Sequence, residues 1–257
     1  MIDMEKVLTE IIENILIVTL NDPNNRNAVD FDMANELEKI WINFEKNDNL
    51  NVAIITGSGN NFSAGANLYD VKRLLNRVEN PNGPLGFTRL IINKPVIAAI
   101  NGYCVAGGLE IALWADIRVA GKNSKFGFLE RRFGVPLIDG GTQRLPKIIG
   151  LGRALDLILT GRLIDAQEAY QIGLINYLVK DNEVLSKSIE IAKMISSFPQ
   201  NTLRNDRLSV YEGLGSRLSD GLNIEMKYGI NSIKTNELIN GSELFKKGLG
   251  RHGEIIK

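Results

Sequence analysis

The chain has 257 residues, with 30 basic and 30 acidic side chains, and 44% of its residues are hydrophobic. This composition is typical of a folded rather than a disordered chain, and the formal net charge of zero gives no overall attraction to nucleic acid or to an anionic membrane. One cysteine and one histidine exclude an internal disulfide and cannot supply a zinc site built from these residues. The lone Cys104 fits a reducing, cytoplasmic location.

No targeting or membrane-spanning segment is expected. Residues 95–109 form a long uncharged stretch, but it is shorter than the roughly 18 residues of a membrane helix and contains Asn101 and several glycines. Charged residues already occur within residues 3–10, unlike the apolar centre of a signal peptide. We therefore expect a soluble protein with neither a membrane nor a nucleic acid as its partner.

The first half of the chain alternates strand-like and helix-like segments. Asp30 can cap a helix in which apolar residues recur at helical spacing from Met33 to Phe44, and residues 107–115 suit a buried helix. Short apolar runs predict strands at residues 14–20, 52–56, 96–100, 117–120 and 124–128. This alternation predicts an α/β fold with parallel strands and helices packed on sheets.

Two further features complete the predicted organisation. The Asn-Pro-Asn-Gly-Pro sequence at residues 80–84 is a loop break that can carry a mobile lid. After residue 150 the pattern is mostly helical, with helices at 153–160 and 166–173 and a short strand at 174–179. Phe198-Pro199 then interrupts the chain, so we predict a core of residues 1–197 and a helical C-terminal region of residues 198–257.

Two glycine-rich loops follow predicted strands, but neither fits a nucleotide-binding motif. In the first, Phe62 stands where a dinucleotide fingerprint has its third glycine. In the second, Gly108 and Leu109 replace the lysine and hydroxyl residue of a phosphate-binding loop. Small residues at 63–66 and 106–108 can let two backbone N–H groups converge on one ligand oxygen as an oxyanion hole. Close packing of helix on strand explains the same pattern equally well.

Two glutamates are candidates for acid-base chemistry. Glu110 is the only charged residue between Lys94 and Asp116, and burial among its apolar neighbours would raise its pKa. A structural carboxylate in the first turn of a helix is the alternative. Glu130 follows an apolar stretch and precedes two arginines, so a surface ion pair is its alternative.

If both glutamates face one cavity beside an oxyanion hole, the chemistry is proton movement next to a carbonyl group. Two aspartates are less distinctive. Asp116 follows the predicted buried helix, and Asp139 lies in a Pro-Leu-Ile-Asp-Gly-Gly turn, where it can line a site or form the turn.

Several motifs, taken in order, resemble the enoyl-CoA hydratase/isomerase (crotonase) family. They are Asn-Phe-Ser-Ala-Gly-Ala-Asn-Leu at residues 61–68, Asn-Gly-Tyr-Cys-Val-Ala-Gly-Gly-Leu-Glu at 101–110, Phe-Gly-Phe-Leu-Glu at 126–130, Gly-Gly-Thr-Gln-Arg-Leu at 140–145 and the stretch 152–161. The resemblance covers nearly the whole chain and is weakest at residues 70–88 and 181–240. The chain departs from the family at Asn67, where an aspartate is usual, and at Ala106, where a frequent triple glycine begins.

The resemblance implies a crotonase-like ββα spiral core and C-terminal helices that build a homotrimer or homohexamer. It implies an acyl-CoA substrate, with coenzyme A as part of that substrate, no separate cofactor and no metal. The backbone N–H groups of Ala66 and Gly107 match the family's oxyanion hole, and Glu110 and Glu130 match its two catalytic glutamates. The positions that match its coenzyme A contacts are Arg26, Ala28, Ala64, Ala66, Asn67, Leu68 and Gly107.

Retention of both glutamates favours an enoyl-CoA hydratase of fatty acid metabolism, a hydro-lyase that adds water across the 2,3 double bond to give 3-hydroxyacyl-CoA. Two alternatives remain open. One is a double-bond isomerase of the same family, for which one carboxylate suffices. The other is a non-catalytic acyl-CoA-binding or RNA-binding module. The preferred acyl length depends on how residues 70–90 fold.

Overall fold

The computed structural model describes residues 5–255, in which nine strands form two sheets. The strands are β1 (Val7–Ile12), β2 (Ile15–Leu20), β3 (Val52–Gly57), β4 (Val96–Ile100), β5 (Tyr103–Val105), β6 (Ile117–Gly121), β7 (Lys125–Gly127), β8 (Ile164–Asp165) and β9 (Tyr177–Val179). The larger sheet has the order β1-β2-β3-β4-β6-β9, and the smaller sheet has the order β5-β7-β8.

The parallel arrangement expected from the sequence is confirmed from β2 to β9 of the larger sheet and for the β5–β7 pair. Two antiparallel pairs depart from it, β1–β2 and β7–β8. Glu13 adopts a left-handed backbone with φ 57° between β1 and β2, and such a short connection joins only antiparallel strands. The sequence pattern did not predict β1 because its middle residues are exposed and include polar side chains.

The helices are α1 (Phe31–Lys46), α2 (Val71–Leu74), α3 (Gly107–Trp114), α4 (Gly141–Ile149), α5 (Leu151–Thr160), α6 (Ala166–Gln171), α7 (Val184–Ser196), α8 (Gln200–Gly213), α9 (Leu218–Ile233) and α10 (Glu237–Lys246). The predicted cap of α1 is confirmed, since the Asp30 carboxylate accepts a hydrogen bond from Met33 N at 2.9 Å. The predicted buried helix is α3. Helix α4 was not predicted from periodicity because it opens on glycine and contains Pro146.

The larger sheet is covered on both faces, as its alternating side chains require. From β2, Leu16 and Val18 pack into the core that includes α1 and α3. Ile15 and Ile17 point the other way, into a core completed by α7. The short apolar strands are therefore buried on both faces, which is the pattern expected of parallel strands in an α/β protein.

Residues 71–90 are anchored to α1 and α3 by an aromatic cluster and a buried arginine. Phe87 lies 5.3 Å from Trp41 and 4.7 Å from Trp114, measured between ring centroids. Arg77 pairs with Glu38 of α1 and also donates from Nε to Pro84 O at 3.1 Å. These contacts anchor the loop at residues 80–84, which the sequence suggested could carry a mobile lid.

The C-terminal helices attach to the core mainly through polar groups. Arg207 Nε and Tyr211 OH of α8 donate to the same Asp116 oxygen, at 2.9 and 2.6 Å. Helix α8 has no buried residue, and Ser232 is the only one in α9. Helix α8 begins two residues after the predicted boundary at 197/198, and the division into two domains stays a prediction. No helix within residues 5–255 has both the length and the apolar character needed to cross a membrane.

Candidate active site

The two glycine-rich loops meet at the start of α3. Ser63 N donates to Tyr103 O at 3.0 Å, and Val105 N donates to Ser63 O at 3.1 Å. A Cβ atom on Gly65 would lie 2.4 Å from Gly107 N, so no side chain fits between the loops. Close packing therefore accounts for the small residue at this position.

Two backbone amides at this junction stay unpaired. Neither Ala66 N nor Gly107 N donates a hydrogen bond to any residue within 5–255. They are neighbours, because a Cβ atom on Gly107 would lie 3.3 Å from Ala66 N. Gly107 also opens α3, where the first N–H groups have no intrahelical acceptor and carry the positive end of the helix dipole. The junction thus provides two free donors that can serve one anionic or carbonyl oxygen.

Glu110 lies in the first turn of α3 and is only 3% exposed. Its Oε1 accepts hydrogen bonds from two backbone amides, Gly141 N at 2.7 Å and Asp139 N at 3.0 Å. Burial is the main reason why the pKa of Glu110 is raised to about 8, and the nearby negative charge of Asp139 adds to it. The two N–H donors oppose this shift without cancelling it. Glu110 is therefore fixed in place and holds its proton near neutral pH.

Glu130 lies in a short 3₁₀ helix, Leu129–Phe133, and is 6% exposed. Neither of its carboxylate oxygens accepts a hydrogen bond from another residue within the described part of the chain. Burial raises its pKa to about 7, and the backbone N–H of Glu130 itself opposes this rise. The ion pair that the sequence allowed does not form, because Arg131 and Arg132 donate instead to the carbonyl oxygens of Val135 and Gly161. Arg131 lowers the pKa of Glu130 only as a minor influence.

The start of α4 packs against Glu110 and against the segment that leads to Glu130. A Cβ atom on Gly141 would lie 3.0 Å from Glu110 Oε1 and 3.2 Å from the ring of Phe128, two residues before Glu130. The charge of Glu130 also contributes to the raised pKa of Glu110, as expected of neighbouring carboxylates. Two carboxyl groups with raised pKa values beside two free N–H donors can move a proton next to a polarised carbonyl group.

Six of the seven residues expected to contact coenzyme A lie on two hydrogen-bonded segments, 26–29 and 64–68, and the seventh, Gly107, opens α3. Ala64 N donates to Arg26 O at 2.9 Å, and Asn67 N donates to Val29 O at 2.8 Å. Arg26 has a left-handed backbone with φ 51°, and its guanidinium lies 5.4 Å from the ring centre of Tyr103. The structure thus brings together Arg26, Ala28, Ala64, Ala66, Asn67 and Leu68. Their contacts with coenzyme A stay a prediction.

Asp139 and Thr88 take part in the site although the sequence gave them little or no weight. Asp139 is buried and accepts hydrogen bonds from Leu85 N and from the hydroxyl of Thr88. The Gly-Gly after Asp139 was the available signal, because it marks a backbone turn close to the start of a helix. Asp116 has a structural role, since it binds α8 and Val96 N. Within residues 5–255, no group of histidine, cysteine, aspartate and glutamate side chains could hold a metal ion.

Comparisons with known proteins agree with this architecture. A family model described as enoyl-CoA hydratase/isomerase matches residues 10–249. The chain is 35% identical over 229 residues to a short-chain-enoyl-CoA hydratase of Clostridium acetobutylicum, covering 87% of each chain. It is also 35% identical over 226 residues to a crotonyl-CoA hydratase of Syntrophomonas wolfei, covering 86% of this chain and 87% of that one. A crystal structure of an enoyl-CoA hydratase from Mycobacterium marinum superimposes with a TM-score of 0.90 at 32% identity, covering 95% of this chain and 96% of that one.

Proposed function

Because the chain belongs to the enoyl-CoA hydratase/isomerase family, we propose that it is an enoyl-CoA hydratase, a hydro-lyase that converts 2-enoyl-CoA to 3-hydroxyacyl-CoA. The observation that carries this proposal is the pair of buried glutamates with raised pKa values beside two unpaired backbone amides. The names of the relatives from Clostridium acetobutylicum and Syntrophomonas wolfei support a short-chain substrate such as crotonyl-CoA.

In the proposed reaction, the amides of Ala66 and Gly107 donate to the thioester carbonyl oxygen. This polarises the conjugated double bond and stabilises the enolate that forms when the β-carbon is attacked. The donors belong to the backbone, so they are oriented before the substrate binds. Arg26, Ala28, Ala64, Asn67 and Leu68 would hold the coenzyme A part, which is bound as part of the substrate rather than as a separate cofactor.

The glutamates would share the proton chemistry. One carboxylate accepts a proton from water as the water oxygen bonds to the β-carbon, and the protonated partner gives a proton to the α-carbon. The sum is the addition of one water molecule. The pKa values of about 8 for Glu110 and about 7 for Glu130 keep a proton on the pair near neutral pH, and an acid and a base are then present together.

We further infer a homotrimer or homohexamer located in the cytoplasm and acting in fatty acid metabolism. The oligomer is supported by exposed apolar residues at helical spacing, namely Leu218, Leu222, Met226 and Ile230 on α9 and Leu151, Leu155 and Leu159 on α5. A contiguous exposed apolar surface is typical of a protein contact. The cytoplasmic location is supported by the free thiol of Cys104.

The test is a hydration assay with crotonyl-CoA, followed as the loss of the conjugated thioester absorbance. We expect loss of absorbance that stops at an equilibrium mixture, with 3-hydroxybutyryl-CoA identified by mass as substrate plus one water. Conversion of 3-enoyl-CoA without hydration of any 2-enoyl-CoA would instead indicate an isomerase. Binding of acyl-CoA without turnover of either substrate would indicate a non-catalytic module.

A further inference from the structure

A buried hydrogen-bond system around Asp139 reaches two sides of the site. Asp139 is 4% exposed. Its backbone N donates to Glu110 Oε1 at 3.0 Å, while its own Oδ1 accepts from Leu85 N at 3.2 Å and from the Thr88 hydroxyl. Asp139 is therefore hydrogen-bonded through its main chain to Glu110 and through its side chain to Leu85 and Thr88.

Leu85 extends this system to the unpaired amides. Its side chain is 1% exposed, and a Cβ atom on Gly107 would lie 2.9 Å from Leu85 Cδ1. The preceding residue, Pro84, is held at its carbonyl oxygen by Arg77. Leu85 thus forms a fixed wall against Gly107, and its backbone position depends on the Asp139 carboxylate.

Two arginines, Arg89 and Arg144, lie near Asp139, but neither donates a hydrogen bond to its carboxylate. Arg144 donates to the backbone carbonyls of Asp139 and Thr88, at 3.0 and 2.6 Å, and Arg89 donates to Ile138 O at 3.1 Å. Both arginines therefore secure the turn without pairing with the carboxylate of Asp139. The acidic groups that act on Glu110 are Asp139 and Glu130. The Asp139 charge raises the pKa of Glu110. Burial raises the pKa of Asp139, and the donors Thr88 and Leu85 and the charges of Arg89 and Arg144 oppose that rise, which favours the ionised form of Asp139.

We propose that Asp139 is a positioning residue of the proposed hydration, which orients Glu110 and holds Leu85 beside Gly107. Asp139 acts through these two residues and not by contact with the substrate. Its charge also favours the protonated form of Glu110, so the acid is maintained at a pH where a solvated glutamate is ionised. This inference rests on the proposed function as far as the reaction is concerned. The effect of Asp139 on the position and the pKa of Glu110 can be measured in the protein without substrate.

The first experiment measures the effect of Asp139 on the protonation of Glu110 in the absence of substrate. Infrared difference spectra over a pH titration follow the protonated carboxyl band of Glu110, assigned by its loss in Glu110→Gln. Asp139→Asn keeps a carbonyl oxygen for Leu85 N and the Thr88 hydroxyl but removes the charge. We expect the Glu110 midpoint to fall by about one pH unit, a tenfold change in proton affinity. An unchanged midpoint in a folded variant overturns the electrostatic part of the proposal.

The second experiment uses hydration kinetics and a matched pair at Thr88. Thr88→Val removes the hydroxyl donor at nearly constant volume, whereas Thr88→Ser retains it. We expect Thr88→Val to lower kcat roughly tenfold. Thr88→Ser should keep a kcat close to that of the wild type. In Asp139→Asn, the limb of the kcat pH profile that reports Glu110 should move to lower pH.

The outcomes separate the two proposals. Wild-type activity in Thr88→Val, together with an unshifted profile in Asp139→Asn, would make Asp139 a turn former only. Absence of hydration in the wild-type protein would overturn the proposed function. The infrared midpoint would still decide whether Asp139 sets the protonation of Glu110.

Discussion

Glu110 and Glu130 carry the same group at nearly the same burial, yet their surroundings differ. Glu110 stands on a regular helix and accepts two backbone N–H bonds on one oxygen. Glu130 stands on a 3₁₀ turn and accepts no hydrogen bond from any other residue within 5–255. Burial raises the pKa of both, so desolvation alone makes a proton available. The two glutamates therefore differ in hydrogen bonding. The protein fixes the carboxylate of Glu110, whereas the carboxylate of Glu130 is left to bind water or substrate.

The largest effect is expected for Glu110→Gln. The amide oxygen of glutamine can still accept the bonds from Asp139 N and Gly141 N, so the fold and acyl-CoA binding should be kept. Loss of proton transfer should lower kcat for crotonyl-CoA hydration on the order of 10³-fold. Steady-state kinetics together with calorimetric binding of acyl-CoA measures both. A variant that retained full activity would remove Glu110 from the chemistry.

Glu130→Gln should lose about 10²-fold in kcat but gain stability at high pH. The folded-state pKa of Glu130 is raised, so its burial carries no ionisation penalty below about pH 4.5, where the group is protonated in both states. The penalty grows as pH rises and is complete above the folded pKa of about 7. A pKa raised from 4.5 to about 7 corresponds to roughly 3 kcal/mol.

Urea unfolding of the wild type and Glu130→Gln at pH 5 and pH 8 tests this. The stability advantage of the variant should be larger at pH 8. Equal differences at the two pH values would show that Glu130 ionises as freely in the folded protein as in the unfolded chain. Glu110→Gln is the matched comparison, because the pKa of Glu110 is raised further, to about 8, in spite of its two N–H donors.

Gly141→Ala should disturb Glu110 more directly than Glu130. The added Cβ would lie 3.0 Å from Glu110 Oε1 and 3.1 Å from Glu110 Cγ, so this carboxylate must shift. We expect kcat to fall roughly tenfold, because a small displacement of a catalytic group is costly. Gly152→Ala is the control, since nothing lies within 4 Å of its added Cβ. Equal kcat values in the two variants would contradict the tight placement of Glu110.

The smallest effect is expected for Arg131→Gln. Arg131 is exposed and lowers the pKa of Glu130 only weakly, so its removal should move the corresponding limb of the pH profile upward by a few tenths of a pH unit. Arg132→Gln serves as the control, because Arg132 has no resolved influence on Glu130. A shift of a full unit would mean that Arg131 pairs with Glu130 in solution.

Residue patterns in the sequence correctly predicted much of the fold and part of the candidate site. The strands β2, β3, β4 and β6 and the helices α1 and α3 follow from apolar runs, helical spacing and the Asp30 cap. The isolated position of Glu110 among apolar residues correctly indicated burial. For Glu130 the adjacent arginines suggested an ion pair, and only the fold shows that their donors reach carbonyl oxygens instead.

What the sequence left open depends on contacts between distant segments. The donors to Glu110 come from a turn about 30 residues later in the chain, and no spacing rule connects them. Leu85 meets Gly107 only because Arg77, Phe87 and Asp139 anchor its loop. The expected parallel units also missed β1, whose alternation is obscured by exposed polar residues.

The backbone conformation of Ala106 determines which substitution this position tolerates best. It stands where the family often has a glycine, yet its φ is 53° and its ψ is −133°, in a region that only glycine adopts readily. Such a residue stores on the order of 1–3 kcal/mol of conformational strain, which its neighbours sustain through bonds such as Ala106 N to Gly127 O at 2.9 Å. Glycine at this position would relieve the strain and stabilise the fold without removing any side chain that takes part in the proposed reaction.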